Sequence, residues 1–120
     1  MAVNQRPRTN NLRVRLNPQP REVTILNGDG AIPVDVDGVY AVTKGSAAAL
    51  TVAAPGAQNV GRRIVIHTAS NFAHVVTFTG STLYDGTTGA NSTWTAAAFI
   101  GSSLTIRAIG ASTWVVENFN

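Results

Sequence analysis

Apolar and polar residues alternate with a period of two in one short segment after another, the pattern of half-buried β-strands. The densest case is residues 62–80, RRIVIHTASNFAHVVTFTG. β-Branched and aromatic residues centre on Ile64, Val65 and Ile66, then again on Val75, Val76 and Phe78, with Thr68-Ala69-Ser70-Asn71 as turn chemistry between them. This stretch predicts a hairpin. With a two-residue turn at Ser70-Asn71, positions summing to 141 pair, and His67 faces His74.

The rest of the chain follows the same style. Residues 22–26 (EVTIL) predict a first body strand, and Asn27-Gly28-Asp29-Gly30 a turn. Pro33 confines residues 31–36 to an edge strand or a loop. Asp35-Val36-Asp37-Gly38 turns, residues 39–43 (VYAVT) form a strand, and Lys44-Gly45-Ser46 turns again. Residues 47–54 carry helix-favouring alanines, yet they lie between Gly45 and Pro55 and contain Leu50-Thr51-Val52, so they read as a strand. Residues 81–94 are rich in Gly, Thr, Ser and Asn, with an exposed loop at Asp85-Gly86-Thr87-Thr88-Gly89. Strands at 94–100, 104–109 and 114–117 complete the series. Short strands with turns at roughly ten-residue spacing predict an all-β fold, a compact sandwich or barrel of short antiparallel strands. A weak repeat relates Gly61, Ile64, Ile66, Val75 and Val76 to Gly101, Leu104, Ile106, Val115 and Val116, as two equivalent strand pairs in one core would.

Residues 1–21 stand apart as an extended N-terminal arm, leaving 22–120 as the β-domain. Pro7, Pro18 and Pro20 interrupt any helix. Leu12-Arg13-Val14-Arg15-Leu16 alternates strictly, with Leu12, Val14 and Leu16 on one face and the two arginines on the other. A lone strand with three exposed aliphatic residues is unstable in water, so the arm is expected to dock on its own body, a sister subunit or a partner's sheet edge. Charge marks the same division. Arg6, Arg8, Arg13, Arg15 and Arg21 give the arm +5 with no acid, while the body has four basic against six acidic residues, −2.

Composition adds limits. With 120 residues the chain favours one domain, and a domain of this size buries roughly two-thirds of its unfolded surface. Much of the 44% hydrophobic content is alanine, so the core is thin and oligomerisation would stabilise it. No run approaches the ~20 apolar residues of a membrane span. Arg6 and Arg8 precede no apolar h-region, so the N-terminal stretch is not read as a signal peptide. There are no cysteines, which suits a reducing cytoplasm and removes thiolate metal sites.

Candidate chemistry is sparse. His67 and His74 could share a metal across the predicted hairpin, but no third ligand is local, and two polar residues closing a hairpin is the simpler reading. Asp35-x-Asp37-Gly38 faintly resembles a calcium loop, yet the later ligand positions fail, so the aspartates serve the turn. Gly28-x-Gly30 lacks the third glycine and following helix of a dinucleotide site. Asn91-Ser92-Thr93 matches a glycosylation sequon but has no meaning without secretion. No motif frames a nucleophile, and the protein is read as no enzyme, with no cofactor and no metal. Trp94 and Trp114, each at a strand start, are the expected anchors of the core or of a subunit interface. Five arm arginines on phosphates would give a salt slope of about −4.5. The arm lacks aromatic platforms and the body is slightly acidic, so nucleic acid is the weaker partner; arginine forks suit protein carboxylates equally.

Residues 44–120 resemble a β-rich module of head-decoration (cement) and head-fibre proteins of tailed bacteriophages. The likeness rests on the small-residue strand 47–54 followed by Pro55, on Gly61-Arg62-Arg63-Ile64, Phe72-Ala73-His74, the Asp85–Gly89 loop and Trp114-Val115-Val116. It covers about two-thirds of the chain and not the arm. The resemblance implies a structural virion protein made in the host cytoplasm. Such a protein sits as a homotrimer on the outer surface of the capsid and cements neighbouring major capsid protein subunits. The arm residues Arg6, Arg8, Leu12, Arg13, Val14, Arg15, Leu16 and Arg21 are the expected capsid contact, since an alternating arm can add a strand to a sheet edge and three arms act multivalently. The alternative is a fibre module that recognises host surface glycans, with an aromatic patch near residues 85–94.

Overall fold

The computed structural model describes residues 22–119. The chain runs through β1 (Thr24–Leu26), β2 (Gly30–Ile32), β3 (Gly38–Val42), β4 (Ala49–Ala53), a single 3-10 turn (Ala57–Asn59), β5 (Arg63–Thr68), β6 (Val75–Thr79), β7 (Thr82–Tyr84), β8 (Ala90–Asn91), β9 (Thr93–Thr95), β10 (Ser103–Gly110) and β11 (Thr113–Phe119). The fold is all-β, built as two mixed sheets. A seven-stranded sheet has the order β1-β3-β5-β10-β11-β7-β8, and a four-stranded sheet the order β2-β4-β6-β9.

From β1 to β7 the chain alternates between the sheets, odd strands in the larger and even strands in the smaller. Neighbours within a sheet are therefore joined through the other sheet, and they run parallel: β1 with β3, β3 with β5, β2 with β4, β4 with β6. The expectation of antiparallel strands holds only in places along the later part, where β10 pairs antiparallel with both β5 and β11, β6 with β9, and β7 with β8, while β11 runs parallel to β7. Residues 62–80 are not a hairpin. β5 and β6 lie in different sheets, and the polar stretch after Thr68 carries the chain from one sheet to the other. The weak repeat does not mark equivalent pairs either, because β10 and β11 are true hairpin partners whereas β5 and β6 are not.

Alternation decides what is buried. Tyr40, Val42, Ile64, Ile66, Leu104, Ile106 and Trp114 from the larger sheet meet Ile32, Leu50, Val52, Val76 and Phe78 from the smaller in one cluster. Burying each such side chain contributes roughly 1.5–3 kcal/mol before entropy is counted. Pro33 directly follows β2, an edge strand of the smaller sheet, as a residue without an N–H requires. Gly38 is forced by packing, since a Cβ there would lie 2.8 Å from the Tyr40 ring and hydroxyl. Two expectations shift further along. Residues 81–94 hold β7, β8 and the start of β9 rather than loop alone. The strand expected at 94–100 stops at Thr95, and the chain turns through Gly101 at φ 99°. Five consecutive apolar residues after Thr95 have no polar alternates, so a strand there would need both faces covered.

Candidate functional site

The parallel strands β3 and β5 give the molecule two unlike ends. At the Arg63 end of β5 the chain enters the body at Glu22 and passes into β1, an edge strand of the larger sheet. Val23 and Ile25 are about half exposed here. β1 begins its pairing at Thr24–Tyr40, which leaves Gly38 and Val39 of β3 without a partner on that side among the described residues. The result is an open cleft of about 450 Å³ bounded by Glu22, Thr24, Val36, Asp37, Val39 and Tyr40. The expected capsid-contact residues Arg6, Arg8, Leu12, Arg13, Val14, Arg15, Leu16 and Arg21 lie outside the described residues.

At the Thr68 end, which we call the apex, three large apolar side chains face solvent: Phe72 at 39%, Phe99 at 71% and Ile100 at 62% exposure. Their backbone is held in place. Thr68 Oγ1 donates to the Phe99 carbonyl at 2.7 Å, Gly101 N donates to Thr68 O at 2.9 Å, and Ile100 N donates to Asn71 Oδ1 at 2.9 Å. No Asp, Glu, Lys or Arg occurs in 94–103 or in 67–73, where His67 is the one histidine.

Beneath the apex, His74 is 1% exposed and joins three segments. Its Nδ1 accepts from Ala48 N at 2.9 Å, so that nitrogen carries no proton. Ser70 Oγ lies 2.9 Å from Nε2 and donates its own proton to Lys44 O at 2.7 Å. Nε2–H must therefore donate to Ser70, which fixes a neutral imidazole and its tautomer. Burial, with Lys44 nearby adding to it, holds the His74 pKa below its ordinary value. Alongside, Asp29 Oδ1 accepts from Ala49 N at 2.9 Å and from Lys44 Nζ at 2.8 Å. The Lys44 bond first, then that backbone bond, lower its pKa.

His67 does not face His74. It is exposed on the outer side of the larger sheet, paired in register with Ala41 and Ser103. Among the described residues no three His, Cys, Asp or Glu side chains gather as a metal site. Of the two aspartates expected to serve the turn at 35–38, Asp37 ties that turn to a strand. Asp37 Oδ1 accepts from Arg63 N at 3.1 Å and lies 3.9 Å from the Arg62 guanidinium. Trp114 is fully buried, and its Nε1 donates to Ala53 O at 3.1 Å, linking the larger sheet to the smaller. Trp94 packs half-buried against the same core.

On the outer face of the larger sheet, Glu117 binds two arginines, Arg63 Nε at 3.0 Å and Arg107 Nε at 2.6 Å. The Arg107 bond depresses its pKa most, burial opposes it, and the Arg63 bond lowers it further. The Asp85 loop closes on itself. Asp85 Oδ1 accepts from the N–H groups of Thr87 and Thr88, both at 2.9 Å, and Oδ2 accepts from Thr88 Oγ1 at 2.8 Å, so its carboxyl is held far below the usual range. The cleft beside it, lined by Asp85, Asn91, Thr93 and Trp94, holds only about 70 Å³. Tyr84 is 42% exposed nearby. Sequence reasoning missed the apex and the inward side chain of His74. The signal for the second was present: His74 shares parity with Val76 and Phe78, whereas His67 shares it with Arg63 and Val65.

Comparison with protein-family models, with curated proteins and with solved structures gives no match. No helix among the described residues is long and apolar enough to cross a membrane.

Proposed function

We propose that the protein is a structural virion protein, a decoration or cement protein that binds the outside of a phage head as a homotrimer and stabilises the lattice of the major capsid protein. In this reading the two sheets form a compact sandwich and residues 1–21 an arm that reaches the capsid. The observation that carries the reading is the way the arm is rooted. It enters the body through an edge strand with exposed Val23 and Ile25, beside an open cleft and at the end remote from the apex. An arm attached there can engage a neighbour while the core stays closed. Its five arginines suit carboxylates on the capsid surface. Each exposed pair is worth about 0.2–1 kcal/mol, so strand addition and burial of Leu12, Val14 and Leu16 supply more, multiplied over three arms.

The test is co-sedimentation with expanded, DNA-free shells of the cognate phage, comparing the full chain with one starting at Glu22. Pelleting of the full chain alone is the expected result. If neither version pellets, the capsid reading fails; if both do, the contact belongs to the body.

A further inference from the structure

We infer that mild acid opens the apex in a local step, in which protonated His74 leaves its place and carries residues 70–73 outward while the two sheets stay paired. The site accepts only the neutral ring. Nδ1 takes a hydrogen bond from Ala48 N at 2.9 Å, and Nε2–H gives one to Ser70 Oγ, whose own proton is committed to Lys44 O at 2.7 Å. A second ring proton would sit on Nδ1 and face the Ala48 N–H, donor against donor. His74 is 1% exposed, so the added charge would also be buried. No anion stands free to pair with it. The segments that meet at this end, 27–30, 43–48, 69–74 and 94–103, hold one acid, Asp29, and one base, Lys44. Asp29 Oδ1 is already engaged by Lys44 Nζ at 2.8 Å and by Ala49 N at 2.9 Å. His67, the other histidine, is exposed on the outer side of the larger sheet. Burial first, and then repulsion from Lys44, oppose the imidazolium.

The step is local because of what holds each segment. Residues 70–73 are tied to the rest of the molecule by side-chain bonds, from Ser70 to Lys44 O and His74, and to Asn71 Oδ1 from Ile100 N at 2.9 Å. On either side the chain is held by backbone bonds that use no side chain: Ala69 N to Val42 O at 2.8 Å, and Val75 N to Ala48 O and Ala96 N to His74 O, each at 2.9 Å. Asp29, its carboxyl lowered by the Lys44 bond and then the Ala49 bond, keeps Lys44 and the start of β4 anchored until stronger acid. The closed state is therefore complete above about pH 6.5, and between there and about pH 4 the part that gives way is 70–73, which carries Phe72. An apolar side chain fixed at neutral pH is thus released in mild acid. This step does not depend on the capsid reading.

Amide hydrogen exchange of the full chain tests it. Ala48 and Ile100 donate to the side chains of His74 and Asn71, and their protection factors are expected to fall at least about tenfold between about pH 7 and about pH 5. At the lower pH their exchange is expected not to quicken in sub-denaturing urea, as a small opening requires, whereas exchange within β5 and β10 does. His74→Gln can accept from Ala48 N and donate to Ser70 but takes up no proton in this range, and it is expected to remove the fall. Unchanged protection in the native protein, a urea dependence equal to that of β5 and β10, or a fall that persists in His74→Gln would each overturn the local step. Ring nitrogen shifts of the native protein serve whether or not the variant folds. The neutral Nε2–H tautomer is expected at about pH 7, and a charged ring at any pH where the Ala48 amide stays protected would overturn the inference.

Discussion

His74 and Glu117 both hold distant segments together through hydrogen bonds, yet they sit in opposite environments. His74 is neutral and sealed beneath the apex, bonded to Ala48 N and to Ser70. Glu117 is charged, partly open to solvent, and bonded to Arg63 at 3.0 Å and to Arg107 at 2.6 Å, the shortest of the four bonds. Distance alone would rank Glu117 first. Solvent reverses the order. Water replaces a lost surface ion pair at little cost, whereas a buried N–H left without its acceptor loses its full solvation.

Trp114→Ala sets the upper end of that scale, because it removes the largest buried side chain together with the bond to Ala53 O. A loss of about 3–5 kcal/mol in denaturant unfolding is expected. His74→Phe keeps the ring but leaves Ala48 N–H unpaired, and about 2 kcal/mol is expected by the same measurement. Gly38→Ala displaces the Tyr40 ring and is expected to cost about 1–3 kcal/mol. Glu117→Gln is expected to change stability by less than about 1 kcal/mol, with the difference shrinking at high salt. A larger loss from Glu117→Gln than from His74→Phe would break the comparison.

Acidity separates the two again. The folded pKa of His74 lies below its ordinary value of 6.5, so the unfolded chain takes up the proton first as pH falls. Its contribution is complete above about pH 6.5 and is lost progressively below it. The lowered carboxylates Glu117, Asp29 and Asp85 hold their contribution above their ordinary values near 4 and lose it only in stronger acid. Unfolding midpoints measured between pH 7 and pH 5 are expected to fall in the native protein. The part of that slope due to His74 is expected to vanish in His74→Phe.

Much of the strand pattern was legible in the chain because period-two alternation states which residues share a face. By that rule Ile64 and Ile66 share one face, as do Val76 and Phe78, and all four are buried; Pro33, expected at an edge strand or a loop for its missing N–H, follows an edge strand. Pairing was not legible. Ser70 and Asn71 have the chemistry of a tight turn, but here Ser70 serves the His74 network and Asn71 accepts from Ile100. The same residues suit a hairpin or a crossing between sheets, and only the wider core chooses between them. Phe99 and Ile100 misled for another reason: an apolar run reads as a buried strand, while these two are presented outward on a fixed loop. Trp114 was legible as an anchor, but its bond to the other sheet was not.

The placement of β10 and β11 bears on how the chain acquires its structure in time. These strands sit between β5 and β7, in the middle of the larger sheet, although they follow both in the chain. Through β6, every in-sheet pairing so far available joins segments separated by a passage through the other sheet, so no local hairpin exists there to nucleate folding. The β10–β11 hairpin is local and forms readily once both strands have been made. The larger sheet is therefore expected to join β5 to β7 only after β10 and β11 have both been made.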